Sequence, residues 1–462
     1  MPWPRVSGDS DTVHALTTGE DEVSKSGFYG WKLLAAFWVV LFCVLAFPAY
    51  GTSVINAYMA VDLHLDGKMR GLPYSVYGIM SGLPTPLVAM CVNRKGVRFT
   101  LILGALLVLI GSLIMALFVS GAISAAVAFG LIVGGGVATG GALPTQTGVT
   151  YWFLRRRALA LSVLLSGAAV GGFVSARLLN YVIVATGGNW RAGWWVLAGL
   201  TALVIALELV VVKERPQDLG QFPDGEPRDA IATSGRNVAG GSRVHVTTEE
   251  WTYREVVRSP QLWQMLLGTV GVAAGFALFL AHGVIYLKSL GHSMSDGATA
   301  VSLFTISMLV AKTIVAVLGD RLDPRYLWAA FTLVFAAGLL LIVHATGAAD
   351  IYPFAICLGI GYGGMFVCQM AVLVNYYGVK AYASVVGLVL AIQTVVGSTY
   401  PYIAGAVYDV TGTFASSFYF LAAVCLVSAV ILFTIRPPVR RLPVNAGRPC
   451  CTARTAGRRT GF

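Results

Sequence analysis

Long apolar runs, each about the length needed to cross a bilayer as a helix, alternate with short polar breaks along most of this chain. A hydrocarbon core about 30 Å thick takes about 20 apolar residues at helical rise. Runs of that order occupy approximately 31–59, 72–92, 99–119, 122–150, 157–186, 191–212, 261–288, 297–319, 326–346, 351–377, 382–408 and 414–435. The pattern predicts an all-α integral membrane protein with twelve transmembrane helices. A polar stretch from Lys213 to Pro260, carrying Pro216, Pro223 and Pro227, divides them six and six. It ends in Trp251-Thr-Tyr-Arg-Glu-Val-Val, which reads as a short amphipathic helix at the membrane surface. The expected divisions are a segment at 1–30, a six-helix bundle at 31–212, a linker at 213–260, a second bundle at 261–435 and a basic tail at 436–462.

Composition narrows the function. Only 11% of the 462 residues are charged and 57% are hydrophobic, against about 25% charged in soluble domains, which excludes a water-soluble enzyme and a disordered chain. The formal charge of +11 is a topology signal rather than a nucleic-acid one. With both ends inside, the inner loops hold Arg94, Lys95, Arg98, Arg155, Arg156, Arg157, Arg321, Arg325 and Lys380, while the outer loops hold Lys68, Arg70, Arg191 and Lys288. That bias places both ends in the cytoplasm. The tail adds Arg436, Arg440, Arg441, Arg448, Arg454, Arg458 and Arg459 on the same side, where anionic lipid attracts them. The polar first 26 residues lack the basic and short apolar regions of a cleavable signal, so the first helix is expected to start insertion itself. An inner-membrane location follows as the expectation.

The seven cysteines show no metal-ligand spacing, and five sit in apolar runs as small hydrophobes. No G-x-x-x-x-G-K-[ST] phosphate loop occurs, so neither metal nor cofactor is expected. There is no H-x-x-H and no pair of carboxylates within a helix, as a membrane-embedded enzyme would need.

The two halves repeat. Asn93, after helix 2, and Asp320, after helix 8, stand 227 residues apart, and Tyr151 and Tyr376, ending the glycine-rich helices 4 and 10, stand 225 apart. Parallel six-helix repeats are the layout of carriers that bind cargo at mid-membrane and rock around it.

With these features the chain resembles the major facilitator superfamily, over about residues 28–436. Three stretches are similar to the monocarboxylate transporter and oxalate:formate antiporter branch: Trp152-Phe-Leu-Arg-Arg-Arg-Ala-Leu-Ala160 with Ser166-Gly167, Ala281-His282-Gly-Val-Ile-Tyr286-Leu-Lys-Ser-Leu-Gly291, and Gly405-Ala-Val-Tyr408-Asp409-Val-Thr-Gly412. The superfamily's loop after helix 2 reads G-x-x-x-D-R-x-G-R; here it is Ala89-x-x-x-Asn93-Arg94-Lys95-Gly96-Val-Arg98, without the carboxylate. The resemblance implies gating roles for Asn93, Arg94, Arg98, Asp320 and Arg321, with Asp320-Arg321 the better-kept latch.

A charge inside a bilayer costs at least about 2.5 kcal/mol, so each is a functional candidate. Lys312 lies about 10 Å inside the cytoplasmic end of helix 8 at 1.5 Å per residue, with no charged residue within a turn. It reads as an anion site, or alternatively as one member of a structural pair. Its position matches the arginine that the monocarboxylate family carries in helix 8. The family's aspartate one turn earlier is Met308 here, which weighs against proton coupling through a carboxylate. His282 is a candidate hydrogen-bond or proton site, or a histidine bonded to backbone. Arg177 in helix 5 is a candidate second anion contact, or a snorkelling side chain. Glu208 and His344, on helices that are peripheral in the superfamily, read as interfacial.

The uncharged candidates lie beside glycine and proline breaks, where backbone carbonyls are freed only if protein or a water-filled cavity covers them. They are Tyr50 and Asn56 on helix 1, Thr145 and Gln146 on helix 4, Tyr362 and Gln369 on helix 10, and Gln393, Thr394, Tyr400 and Tyr402 on helix 11; close helix packing is the plainer explanation of the small residues near them. The expected function is secondary transport of a small organic anion, a monocarboxylate, by alternating access. A coupling proton or counter-substrate and membrane lipid are its partners. A carrier of a neutral or drug-like solute, with Lys312 structural, is the alternative.

Overall fold

The computed structural model describes residues 28–153, 156–225, 247, 251–318 and 322–438. Eleven of its helices are long and apolar enough to cross a membrane, and a bent pair makes the twelfth span. They are α1 (Gly30–Asp62), α2 (Gly67–Gly82 and Thr85–Lys95, bent by 43° around Pro84), α3 (Val97–Leu117), α4 (Ala122–Trp152), α5 (Leu159–Ala185), α6 (Arg191–Val211), α7 (Pro260–Ser289), α8 (Met294–Val315), α9 (Pro324–Val343), α10 (Ala348–Gly378), α11 (Val385–Thr411) and α12 (Ala415–Thr434). A short helix at Tyr253–Val257 precedes α7. Because α1 carries the chain across once, the two faces of the bundle are called here the Gly30 face and the Asp62 face.

Three of the helices are wound more loosely in their middles. Alpha1 takes π-helical turns over Leu41–Gly51, α4 over Ala126–Val133 and α7 over Phe279–Gly283. In α1 the cause is Pro48, which has no N–H to give to the preceding turn. Just beyond it the Thr52 hydroxyl donates to the Pro48 carbonyl at 2.5 Å, and it shares a hydrogen bond with the Tyr74 hydroxyl of α2 at 2.8 Å. Alpha10 and α11 run as one helical path broken at Gly378, whose φ of 73° an L side chain rarely adopts.

The two bundles meet mainly on the Asp62 half of the molecule. There α2 lies along α11 and α5 along α8, with Ser302 of α8 donating to the Phe173 carbonyl of α5 at 2.8 Å. On the Gly30 side, Trp251 and Tyr377 pack edge to face, and the Ser259 and Tyr377 hydroxyls lie 2.7 Å apart, fixing the end of the linker to α10.

Candidate functional site

Between the bundles lies a cavity of about 500 Å³. Its walls come from the middles of α1, α2, α4, α7, α10 and α11 and continue toward the Gly30 face, as Thr85, Gln146 and Leu390 show. Its wall is mainly apolar and includes five aromatic residues, Tyr74 and Tyr77 on one side and Phe276, Tyr362 and Phe366 on the other. Phe276 and Tyr362 stack with centroids 4.2 Å apart at 15°, and Tyr50 meets Phe276 edge to face at 6.4 Å. Besides the tyrosine hydroxyls the polar lining is Ser81, Thr85, Gln146, Gln393, Thr394 and Ser398 among the described residues, with no charged side chain.

Toward the Asp62 face the cavity is closed by contacts between the bundles, supported by contacts of His282 within the second bundle. Asn56 of α1 donates from Nδ2 to the Ala281 carbonyl of α7 at 3.1 Å. His282, fully buried, donates from Nε2 to the Pro401 carbonyl of α11 at 2.9 Å and stacks on Phe414 at 4.5 Å. The carbonyl can only accept, so this bond fixes the imidazole tautomer with its proton on Nε2. The Tyr402 backbone N–H donates to Ser75 Oγ at 3.2 Å. Asp409, at the end of α11, accepts from the Gly67 and Lys68 N–H groups at 2.6 and 3.1 Å, capping α2. Arg70 lies 5.4 Å from the centroid of the Tyr408 ring. Two of the stretches singled out by resemblance, around His282 and around Asp409, thus come together in this seal.

The site residues expected from sequence divide into groups. Gln146, Tyr362 and Gln393 line the cavity, with Thr394, while Tyr50 and Gln369 stand just behind its wall. Asn56 and His282 belong to the seal. Tyr400 turns toward α12, its hydroxyl donating to the Ser417 carbonyl at 3.4 Å, Tyr402 is exposed, and the Thr145 hydroxyl donates back to the Gly141 carbonyl of its own helix. Arg177 is exposed, with its guanidinium 5.1 Å from the centroid of the Phe173 ring of its own helix, so it is not a cavity contact. Glu208 lies in the last turn of α6 and is fully buried on the face it shares with Thr201 and Val204, with neither carboxylate oxygen hydrogen-bonded among the described residues. His344 is exposed and bonds Tyr419 at 3.0 Å, as an interfacial residue would.

Of the gating residues, Asn93 and Arg94 are exposed. Arg98 is tied inside the first bundle, its side chain bonding the Leu209 carbonyl of α6 while its N–H and that of Val97 donate to the Glu214 carboxylate at 2.8 and 2.9 Å. The Glu214 carboxylate thus caps α3, and the Arg98 side chain ties α3 to the end of α6 inside the first bundle rather than bridging the bundles. Asp320 and Arg321 lie outside the described residues.

Lys312 is absent from the cavity lining, yet it stands on the inward face of α8. At 100° per residue it falls between Thr305 and Met308. Thr305 sits with Tyr50 against Gly172 of α5, and Met308 sits against Gly363 of α10. Lys312 is part-buried, and among the described residues it has no hydrogen bond and no ion pair.

The family model for the Major Facilitator Superfamily matches residues 36–398 and 283–459. The chain belongs to that superfamily. It is similar to monocarboxylate transporter 12 of Rattus norvegicus, 24% identical over 421 residues that cover 88% of this chain and 85% of the relative. It is also similar to monocarboxylate transporter 13 of Bos taurus, 23% identical and covering 76% of each. In fold it is similar to the nucleoside transporter NupG, with a TM-score of 0.67 at 13% identity over 87% of this chain and 99% of that one. A D-xylose-proton symporter matches at a TM-score of 0.66, 15% identity, and 88% and 98% coverage. This superfamily protein is a multi-pass membrane transporter resembling monocarboxylate transporters.

Proposed function

We propose that this transporter carries a small organic monocarboxylate, with Lys312 as the group that meets the carboxylate. The observation that carries the reading is a lysine on the same face of α8 as the buried Thr305 and Met308, without an acidic partner among the described residues, in a protein whose central cavity has no charged side chain in its lining. A cation kept in an apolar span at a cost of at least about 2.5 kcal/mol has its counter-charge supplied by the cargo. The names of the relatives support the same cargo class. Lysine is a point charge rather than a planar fork, so the cavity amides and hydroxyls orient the bound anion.

In this reading both ends of the chain face the cytoplasm of an inner membrane, the bundles comprise 31–212 and 261–435, and the described state opens inward with its outer seal closed. Transport draws on a gradient of the cargo, a counter-substrate or a proton. Uptake and counterflow in proteoliposomes by Lys312→Gln test it: loss of carboxylate counterflow with unchanged thermal stability is expected, and unchanged counterflow overturns it. The neutral cavity lining favours a second reading, a neutral solute, and counterflow of neutral compounds that survives Lys312→Gln would establish that instead.

A further inference from the structure

Gln393 lines the cavity, and behind it Gln369 is fully buried. The Gln393 Nε2 donates to the Gln369 Oε1 at 3.2 Å, while the Gln369 Nε2 has no partner among the described residues. A buried amide with a free donor is costly unless something satisfies it. The pair joins α10 to α11, and Gln393 keeps a carbonyl and a second N–H to offer the cavity. Both amides can reverse together, leaving the bond between them in place and exchanging which group faces inward.

The depth of this pair matches that of Lys312. Gly363 of α10 sits against Met308 of α8, and both helices run toward the Gly30 face. Gln369 is six residues beyond Gly363 and Lys312 four beyond Met308, which places them within about 3 Å of one level at 1.5 Å per residue. Phe366, three residues before Gln369, lies about 4.5 Å from that level on the cavity wall, while the Phe276–Tyr362 stack lies about 10 Å from it toward the Asp62 face at 1.5 Å per residue. A cavity of about 500 Å³ falls in the range that encloses drug-sized ligands, whereas a three-carbon hydroxy acid has only six non-hydrogen atoms.

Resting on the carboxylate reading above, we infer that the cargo is an aromatic carboxylate whose ring carries a hydrogen-bonding substituent, a hydroxyl or an amide, read by the Gln393–Gln369 pair. The carboxylate meets Lys312, the ring lies along Phe366, and the substituent exchanges a hydrogen bond with Gln393. Gln369 is a positioning residue: it holds the Gln393 amide and does not touch the cargo.

The test is counterflow of 4-hydroxyphenylacetate, phenylacetate and lactate in proteoliposomes of the full chain, repeated with Gln393→Leu, Gln369→Leu and Lys312→Gln. The unaltered protein is expected to prefer 4-hydroxyphenylacetate to phenylacetate by about fivefold, the size of one neutral hydrogen bond, and both to lactate. Gln393→Leu and Gln369→Leu are expected to erase the first preference, 4-hydroxyphenylacetate counterflow falling about fivefold relative to that of phenylacetate in the same variant. Lactate carried as well as the aromatic acids by the unaltered protein overturns the inference whether or not the variants fold. So does a hydroxyl preference that survives Gln393→Leu. If Lys312→Gln abolishes counterflow of all three acids and the glutamine variants change no preference, this inference fails and the carboxylate reading stands. If Lys312→Gln changes nothing, the carboxylate reading itself fails, and this inference with it.

Discussion

The carboxylate of Asp409 accepts the backbone N–H of Gly67 at 2.6 Å, joining the end of α11 to the start of α2 across the two bundles. A helix N-terminus carries unpaired N–H groups and partial positive charge, and an acidic cap there is worth about 1 kcal/mol. The cap exists only while the Asp62 face is shut, so removing it disfavours the shut state alone. Asp409→Ala is expected to raise the population open on that face about fivefold. Spin labels at Val61 and Lys288, exposed at the ends of α1 and α7, should report this as a longer-distance component. An unaltered distance distribution would mean that the seal does not depend on the cap.

Backbone approaches backbone in the same seal. A Cβ on Gly405 would lie 2.1 Å from the Gly67 carbonyl oxygen, and one on Gly71 2.3 Å from that of Pro401. Such contacts cannot be relieved by turning a side chain. Gly405→Ala is expected to leave each bundle folded but to keep the Asp62 face from closing, lowering turnover at least about tenfold. The check pairs a thermal melt with counterflow; full counterflow with a normal melt would show that α2 and α11 close in some other arrangement.

His282 sits in the seal rather than the cavity. Its Nε2 bond to the Pro401 carbonyl and its stack on Phe414 are contacts within the second bundle that shape α11 where α2 meets it. Losing one such hydrogen bond costs about 1 kcal/mol. His282→Phe is expected to lower the maximal rate about fivefold with the KM for cargo changed less than twofold. A KM that rises tenfold at constant maximal rate would make His282 a cargo ligand after all.

The twelve spans were legible because an apolar run of about 20 residues has few ways to fold besides crossing a bilayer, and Lys312 stood out because a lone cation in such a run is rare. The seal was not legible. Its bonds join residues as far apart as Gly67 and Asp409, 342 positions, and most use backbone groups that every residue has. Arg177 was misplaced for another reason: in an evenly apolar helix the pattern does not say which side chains end up exposed, and Arg177 lies exposed over the Phe173 ring of its own helix. The burial of Glu208, in the last turn of α6, was not legible because a helix at the rim of a bundle still buries the stripe that faces its neighbours.

That buried stripe makes Glu208 a stability question. Its two carboxylate oxygens have no hydrogen-bond partner among the described residues, and a carboxylate removed from water without a partner costs several kcal/mol. An amide of the same shape carries no charge to desolvate. Glu208→Gln is therefore expected to be neutral or stabilising by about 1 kcal/mol or more, with transport unchanged, since α6 contributes nothing to the cavity lining. Thermal denaturation of the purified protein reads the first part and counterflow the second. A melting temperature that falls would mean that the carboxylate holds a partner the amide cannot; an unchanged melt with lost counterflow would give Glu208 a part in the transport cycle.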